Sequence, residues 1–168
     1  SAPPMCIEML FGQKSYVFGS YGNFSLVQGK AKSRKSYFIS CLAAAAITTD
    51  VVSNTFRGSL NGRKCVYIDT EQGDYHAAKV KKRIQSMAGL HADQNYDQLE
   101  FFKFRALDTN KERMQYVELI FQMIPDIGFM VIDGIADLAS KGVNDEEEAT
   151  LIASKLLKWT EDYNCHIT

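Results

Sequence analysis

A chain of 168 residues, 46% hydrophobic and 23% charged with a net charge of −1, has the make-up of one ordinary globular domain. The near-neutral balance excludes a global attraction for nucleic acid or an acidic membrane, so any such partner needs a local patch. Apolar runs such as Cys41–Ile47 fall short of the about eighteen residues that a membrane span requires. Four scattered cysteines without a Cys-x-x-Cys spacing read as reduced, mostly buried thiols, and Cys165-His166 reads as core rather than a metal pair. Together these features predict a cytoplasmic protein.

In chain order, residues 1–15 lack a clean period and predict an arm or loop, with a short strand at Tyr16–Phe18 and a turn over Ser20–Asn23. Phe24–Gln28 predicts a buried strand and Ser36–Thr48 an alanine-rich helix, followed by a polar, glycine-punctuated connection over Thr49–Arg63. Cys65–Ile68 is a continuous apolar run ending at Asp69, the pattern of a central parallel strand. Asp74 is positioned to cap a helix that brings Ala77, Val80, Ile84 and Met87 to one face.

Leu99–Phe104 predicts another strand, and Asn110–Ile124 a helix with Met114, Val117, Phe121 and Ile124 in a stripe, stopped by Pro125. Phe129–Ile132 is a further buried strand, ending at Asp133. Asn144 is placed to cap a last helix, with Glu146–Glu148 near its positive end and Ile152, Leu156 and Trp159 inward. Cys165–Ile167 predicts the start of one more strand, so the reading expects a piece of a longer chain. Strands alternating with helices, apolar on both faces, argue for an α/β fold: a mostly parallel sheet with helices on both sides. On this reading residues 1–23 form an N-terminal arm and residues 24–168 the core.

The chemistry concentrates in Phe24–Ser36, where an apolar strand enters a loop opening on Gly29 and closing on Lys35-Ser36. That is the layout of a phosphate-binding loop, whose backbone N–H groups and helix N-terminus cradle phosphates while lysine bridges them and serine holds Mg²⁺. Candidate ligand contacts are Gly29, Lys30, Ala31, Lys32, Ser33, Arg34, Lys35, Ser36 and Tyr37. Arg34 stands where glycine is expected; a side chain is tolerable there if the backbone is already helical and the arginine points outward. Taken alone, the same residues also describe an exposed basic turn.

Two strands ending in acid, Val66–Glu71 and Phe129–Asp133, add to the case. Ligands of α/β sheets sit beyond the carboxyl ends of the strands, which brings these acids and the loop to one crevice. Asp133 suits the metal, and Glu71 suits orientation of an attacking water.

The order strand, phosphate loop, helix, strand ending in Asp69-Thr70-Glu71, helix, strand ending in Asp133 resembles the RecA-like P-loop ATPases. Within them it is most similar to the branch of the RepA-type and DnaB-type hexameric replicative helicases. Lys32–Ser36 and Phe56-Arg57-Gly58 carry the likeness further, over about residues 24–168; Arg34 departs from the pattern. The resemblance implies ATP and Mg²⁺ as cofactors, Glu71 and Lys35 as catalytic residues, and Ser36 and Asp133 at the metal. It also implies a homo-hexamer and DNA contacts through regions beyond these residues. A regulatory nucleotide-binding module with little hydrolysis is the alternative. A small-molecule kinase is disfavoured because Gly134–Leu151 carries acids and only Lys141 where an arginine-rich lid would lie.

Three lesser features complete the reading. Lys79, Lys81, Lys82 and Arg83 form a basic cluster on one helix, expected as a solvated face. His76 and Arg83, seven apart, share a side of it, and a surface role is expected for both. Tyr16, Tyr21 and Tyr37 are equal candidates for stacking on a base.

Overall fold

The computed structural model describes residues 1–28, 32–134 and 146–168, with Lys32 and Ser33 described as backbone only. Its strands are β1 (Met5–Phe11), β2 (Lys14–Ser20), β3 (Asn23–Phe24), β4 (Phe56–Gly58), β5 (Lys64–Asp69), β6 (Leu99–Lys103), β7 (Ile127–Asp133) and β8 (His166–Ile167). The helices are α1 (Lys32–Ala46), α2 (Asp74–Met87), α3 (Asn110–Met123) and α4 (Glu146–Asp162). A five-stranded parallel sheet in the order β3-β8-β7-β5-β6 forms the centre, and a three-stranded antiparallel sheet, β2-β1-β4, lies beside it.

Alternation along the central strands feeds two cores. Cys65, Tyr67, Phe129 and Val131 pack against α1, α2 and the antiparallel sheet. Val66, Ile68, Met130, Ile132 and Ile167 pack against α3 and α4. With both faces covered, β5 and β7 are apolar apart from their charged end residues, which makes them legible as continuous runs. The three-layer α/β arrangement expected from the sequence is the one observed.

Several local expectations need correction. Residues 1–15 are not a loop: Met5–Phe11 pairs antiparallel with Lys14–Ser20 on one side and with Phe56–Gly58 on the other. The polar connection over Thr49–Arg63 therefore contains a strand. Gly58 is required there because a Cβ would strike the Ala45 carbonyl of α1, so only glycine lets β4 lie this close to the helix. Arg57 pairs with the buried Glu8, whose carboxyl is held below its usual range first by the Ser15 hydroxyl and then by Arg57.

The strand over Phe24–Gln28 shortens to Asn23–Phe24, extended by one bond from Ser25 N–H to the Ile167 carbonyl. Helix α1 begins four residues earlier than expected and ends two earlier. Gly73, not Asp74, is the N-cap of α2; Asp74 is the first helical residue and pairs with Lys103 at 2.8 Å. Helix α3 is capped by the Thr109 hydroxyl, and Ile124, restricted by the proline after it, turns extended at its end. Asn144 lies outside the described residues.

Each cysteine is free and buried, and burial pushes the Cys6 and Cys165 thiols up to about 12. Among the described residues, no helix is long and apolar enough to cross a membrane.

Candidate functional site

Parallel strands put all their carboxyl ends on one edge, where β3 delivers the chain toward α1 and where Asp69 and Asp133 end β5 and β7. Asp69 and Asp133 are Cα partners across the ladder, so their side chains leave the sheet on the same face, the one covered by α1 and α2. Lys35, in the first turn of α1, brings its Nζ to 3.8 Å from Asp133 Oδ1. The Tyr67 hydroxyl donates to Asp133 Oδ2 at 3.0 Å.

The electrostatics of this corner are under tension. Burial pushes the Asp133 carboxyl up, and the neighbouring Asp69 adds to it. The Tyr67 hydrogen bond, then Lys35 and Arg83, work against that rise. Burial likewise drives the Tyr67 phenol up, with Asp133 adding. Burial thus favours the neutral phenol of Tyr67, and at Asp133 it outweighs the Tyr67, Lys35 and Arg83 groups that favour the carboxylate.

Glu71 is set in place by the loop after β5. Asp69 Oδ1 accepts the backbone N–H groups of Glu71 and Gln72, each at 3.0 Å. The Thr70 hydroxyl lies 2.8 Å from the Asp133 carbonyl and 3.0 Å from that of Gly134, clasping the two strand ends together. Gly134 has φ +86°, and a Cβ on it would strike the Thr70 hydroxyl and lie 3.0 and 3.1 Å from Glu71 Cγ and Cδ. The Glu71 side chain therefore lies against Gly134, one residue beyond the end of β7. The other oxygen of Asp69, Oδ2, is buried and has no hydrogen-bond partner among the described residues.

Of the phosphate-loop residues, Gly29, Lys30 and Ala31 lie outside the described residues, and Lys32 and Ser33 enter only as helical backbone. Arg34 lies inside α1, is exposed and has no left-handed backbone. It meets both conditions under which a side chain is tolerable at that position. Ser36 is half-buried, and its carbonyl accepts the Ser40 hydroxyl at 2.8 Å. The structure separates the three tyrosines. Tyr21 is buried with its hydroxyl on the Ser59 carbonyl, and Tyr16 packs edge-on against Phe11 in the hairpin. Tyr37 is half-exposed on α1, next to Lys35-Ser36, with its hydroxyl 3.3 Å from that of Ser53.

The basic cluster on α2 does not act as one face. Lys81 donates to Asn95, Lys82 pairs with Asp93, and Lys79 sits over the Tyr75 ring. Arg83 turns inward onto α1 and donates to Ser40 and Ser36, correcting its expected surface role. His76 is exposed, as expected.

Tyr67, Thr70 and Gly134 went unassigned in the sequence. Tyr67 stands two residues before Asp69, and the period of a strand was the available signal; an Asp-Gly pair closing an apolar run was the signal for Gly134. The carboxylate of Asp133 and the unfilled Oδ2 of Asp69 are oxygen acceptors of the kind a hard divalent cation prefers, and among the described residues no cluster of three or more His, Cys, Asp or Glu gathers to hold a metal by itself. Carboxylate oxygens at the strand ends are compatible with a bound Mg²⁺, for which Ser36 and Asp133 are the candidate holders.

A three-layer sheet with helices on both faces, a strand-to-helix loop entering α1, and acids at the neighbouring strand ends define a P-loop nucleotide-binding fold. The AAA domain family model matches residues 16–168, and the chain belongs to that family. It is a nucleotide-binding ATPase-type domain. No curated protein matches the chain.

Proposed function

We propose that the chain is the ATP-binding, Mg²⁺-dependent ATPase core of a RecA-like motor. The branch we favour is that of the RepA-type and DnaB-type helicases, acting in DNA replication or mobile-element maintenance. The observation that carries the ATPase reading is the Lys35–Asp133 ion pair at the carboxyl ends of the strands, with the Glu71 side chain lying against the neighbouring Gly134.

In this reading Gly29, Lys30, Ala31, Lys32, Ser33 and Arg34 wrap the phosphates with Lys35, Ser36 and Tyr37 at the start of α1. Lys35 moves its ammonium from Asp133 to the β/γ-phosphates, whose oxygens carry more negative charge than a single carboxylate. Ser36 and Asp133 hold Mg²⁺, which when bound neutralises charge on the transferring phosphoryl group. Glu71, braced through Asp69 and lying over Gly134, accepts the hydrogen bond of the attacking water and orients it in line. Tyr37, exposed beside the phosphate residues, is the best placed of the three tyrosines for a base. The AAA-type domain is compatible with assembly into a ring. A homo-hexamer would supply an arginine from the neighbouring subunit, with DNA contacted by regions beyond these residues. Residues 24–168 carry the proposed ATPase chemistry, and residues 1–23 pack onto them through β1 and β2.

Glu71→Gln tests the assignment. ATP binding should persist while turnover falls by about a thousandfold, the scale of losing a positioned base. A variant that hydrolyses ATP at the wild-type rate would remove Glu71 from the mechanism.

A further inference from the structure

We infer that Arg83 is a positioning residue for the phosphate site, acting through the first two turns of α1; this rests on the nucleotide reading above. Arg83 lies on α2, yet its hydrogen bonds go to α1, and its charge also bears on Asp133. Nε and Nη2 donate to Ser40 Oγ at 3.0 and 2.8 Å, and Nη2 also reaches the Ser36 carbonyl at 3.3 Å. Ser40 is fully buried, and its own proton goes to the same Ser36 carbonyl. A serine hydroxyl bonded back onto the preceding turn slightly destabilises a helix and often bends it, so a partner that holds the hydroxyl also bears on the turn. Arg83 fixes it, and does so with a fork that lysine cannot reproduce.

The Ser36 carbonyl belongs to the residue whose hydroxyl is proposed to hold the metal, one position after Lys35. Helix α2 begins three residues after Glu71. A single guanidinium therefore ties the helix that carries the phosphate-binding pair to the helix that follows the proposed catalytic acid. Shifting one without the other breaks charge-assisted hydrogen bonds. Arg83 sets the angle at which α1 presents Lys35 and Ser36 to the outer phosphates and leaves the base end of the nucleotide alone.

The test is equilibrium titration of the chain with mant-ATP and mant-AMP at fixed Mg²⁺, for wild type, Arg83→Ala, Arg83→Lys, Ser40→Ala and Lys35→Ala. Arg83→Ala should bind mant-ATP about tenfold more weakly, the scale of a lost charge-assisted hydrogen bond, with mant-AMP unchanged. Arg83→Lys should lose nearly as much, because charge without the fork does not hold Ser36. Ser40→Ala should shift mant-ATP in the same direction by less. Unchanged mant-ATP affinity in Arg83→Ala overturns the inference. So does an equal loss for mant-ATP and mant-AMP, which marks general loosening of the fold. Should Arg83→Ala fail to fold, wild-type mant-ATP affinity in both Arg83→Lys and Ser40→Ala overturns it instead. If wild type and Lys35→Ala bind mant-ATP alike, the nucleotide reading itself falls, an outcome distinct from all of these.

Discussion

The two ends of the central sheet treat their charges in opposite ways. At the amino end, Arg63 is saturated. Nε donates to Asp126 at 2.8 Å, Nη1 to the Asn164 carbonyl at 2.7 Å, and Nη2 to the carbonyls of Ile127 and Tyr163 at 2.7 and 3.1 Å. The guanidinium also lies 5.2 Å from the centre of the Tyr21 ring. At the carboxyl end, Lys35 stops 3.8 Å short of Asp133, whose carboxyl is pushed up by burial, and Asp69 keeps an unfilled oxygen. The same strands run between the two. One end spends its polar groups on holding loops together, and the other holds them back for a ligand.

The largest way to break this contrast is Arg63→Ala. It removes a charged donor from three carbonyls, one at the start of β7 and two in the turn after α4, and the expected cost is about 3 kcal/mol in unfolding free energy. Urea denaturation reads it, and mant-ATP affinity of the folded fraction should not move. A loss below about 1 kcal/mol would mean that the amino end is held by packing instead.

Lys35→Ala should do the reverse. Its ion pair with Asp133 is long and partly exposed, so the unfolding free energy from urea denaturation should fall by less than about 1 kcal/mol. Affinity for mant-ATP should fall about a hundredfold, or about 2.7 kcal/mol, since a charge-assisted contact to phosphate is lost. Losses of stability and affinity of equal size in either variant would erase the distinction between the two ends.

The carboxyl end was the more legible of the two in the sequence. Lys35, Glu71 and Asp133 each sit in a local pattern, and the parallel topology that brings them together follows from apolar strands alternating with helices. Arg63 carries no local pattern at all, because its partners come from residues 126–127 and 163–164. The strand Met5–Phe11 was missed for a related reason. Its buried positions run Cys6-Ile7-Glu8 without period two, since Glu8 is covered through Ser15 and Arg57 rather than left in solvent. The three-residue strand Phe56–Gly58 depends on the closeness of the α1 backbone, which no window of sequence displays. Arg83 was misread because a basic cluster looks uniform until the neighbouring helix decides which member turns inward.

Titration separates the ends by sign. His166, in β8 opposite Phe129, is buried; Nδ1 lies 2.9 Å from the Ser20 carbonyl and Nε2 2.9 Å from the Ser25 hydroxyl. Burial holds its pKa below the ordinary value, so the unfolded chain binds the proton more readily. Its contribution is complete above about pH 6.5 and is lost as pH falls through the lowered folded value, by at most about 1.4 kcal/mol per pH unit. Asp133, with a raised pKa, runs the other way: its contribution is complete below about pH 4 and is lost as pH rises through the folded value. His166→Gln should therefore flatten the acid side of the stability profile below about pH 6.5 and leave the remainder parallel to wild type. An unchanged acid slope would place the responsible proton elsewhere.

The smallest expected effect is the most discriminating. Tyr67 is fully buried, stacks on Phe101 and gives its hydroxyl proton to Asp133, so it belongs to the core by packing and to the crevice by chemistry. Tyr67→Phe keeps the ring and removes the bond, at an expected cost of about 1 kcal/mol in unfolding free energy near neutral pH. Were Tyr67 to serve the fold alone, as Arg63 does, mant-ATP affinity would stay at the wild-type value. Because its hydroxyl is the donor that favours ionised Asp133, affinity should instead fall by about threefold in Mg²⁺, part of one hydrogen bond's worth. In Mg²⁺-free buffer wild type and variant should bind alike, since the loss acts through the carboxylate assigned to the cation.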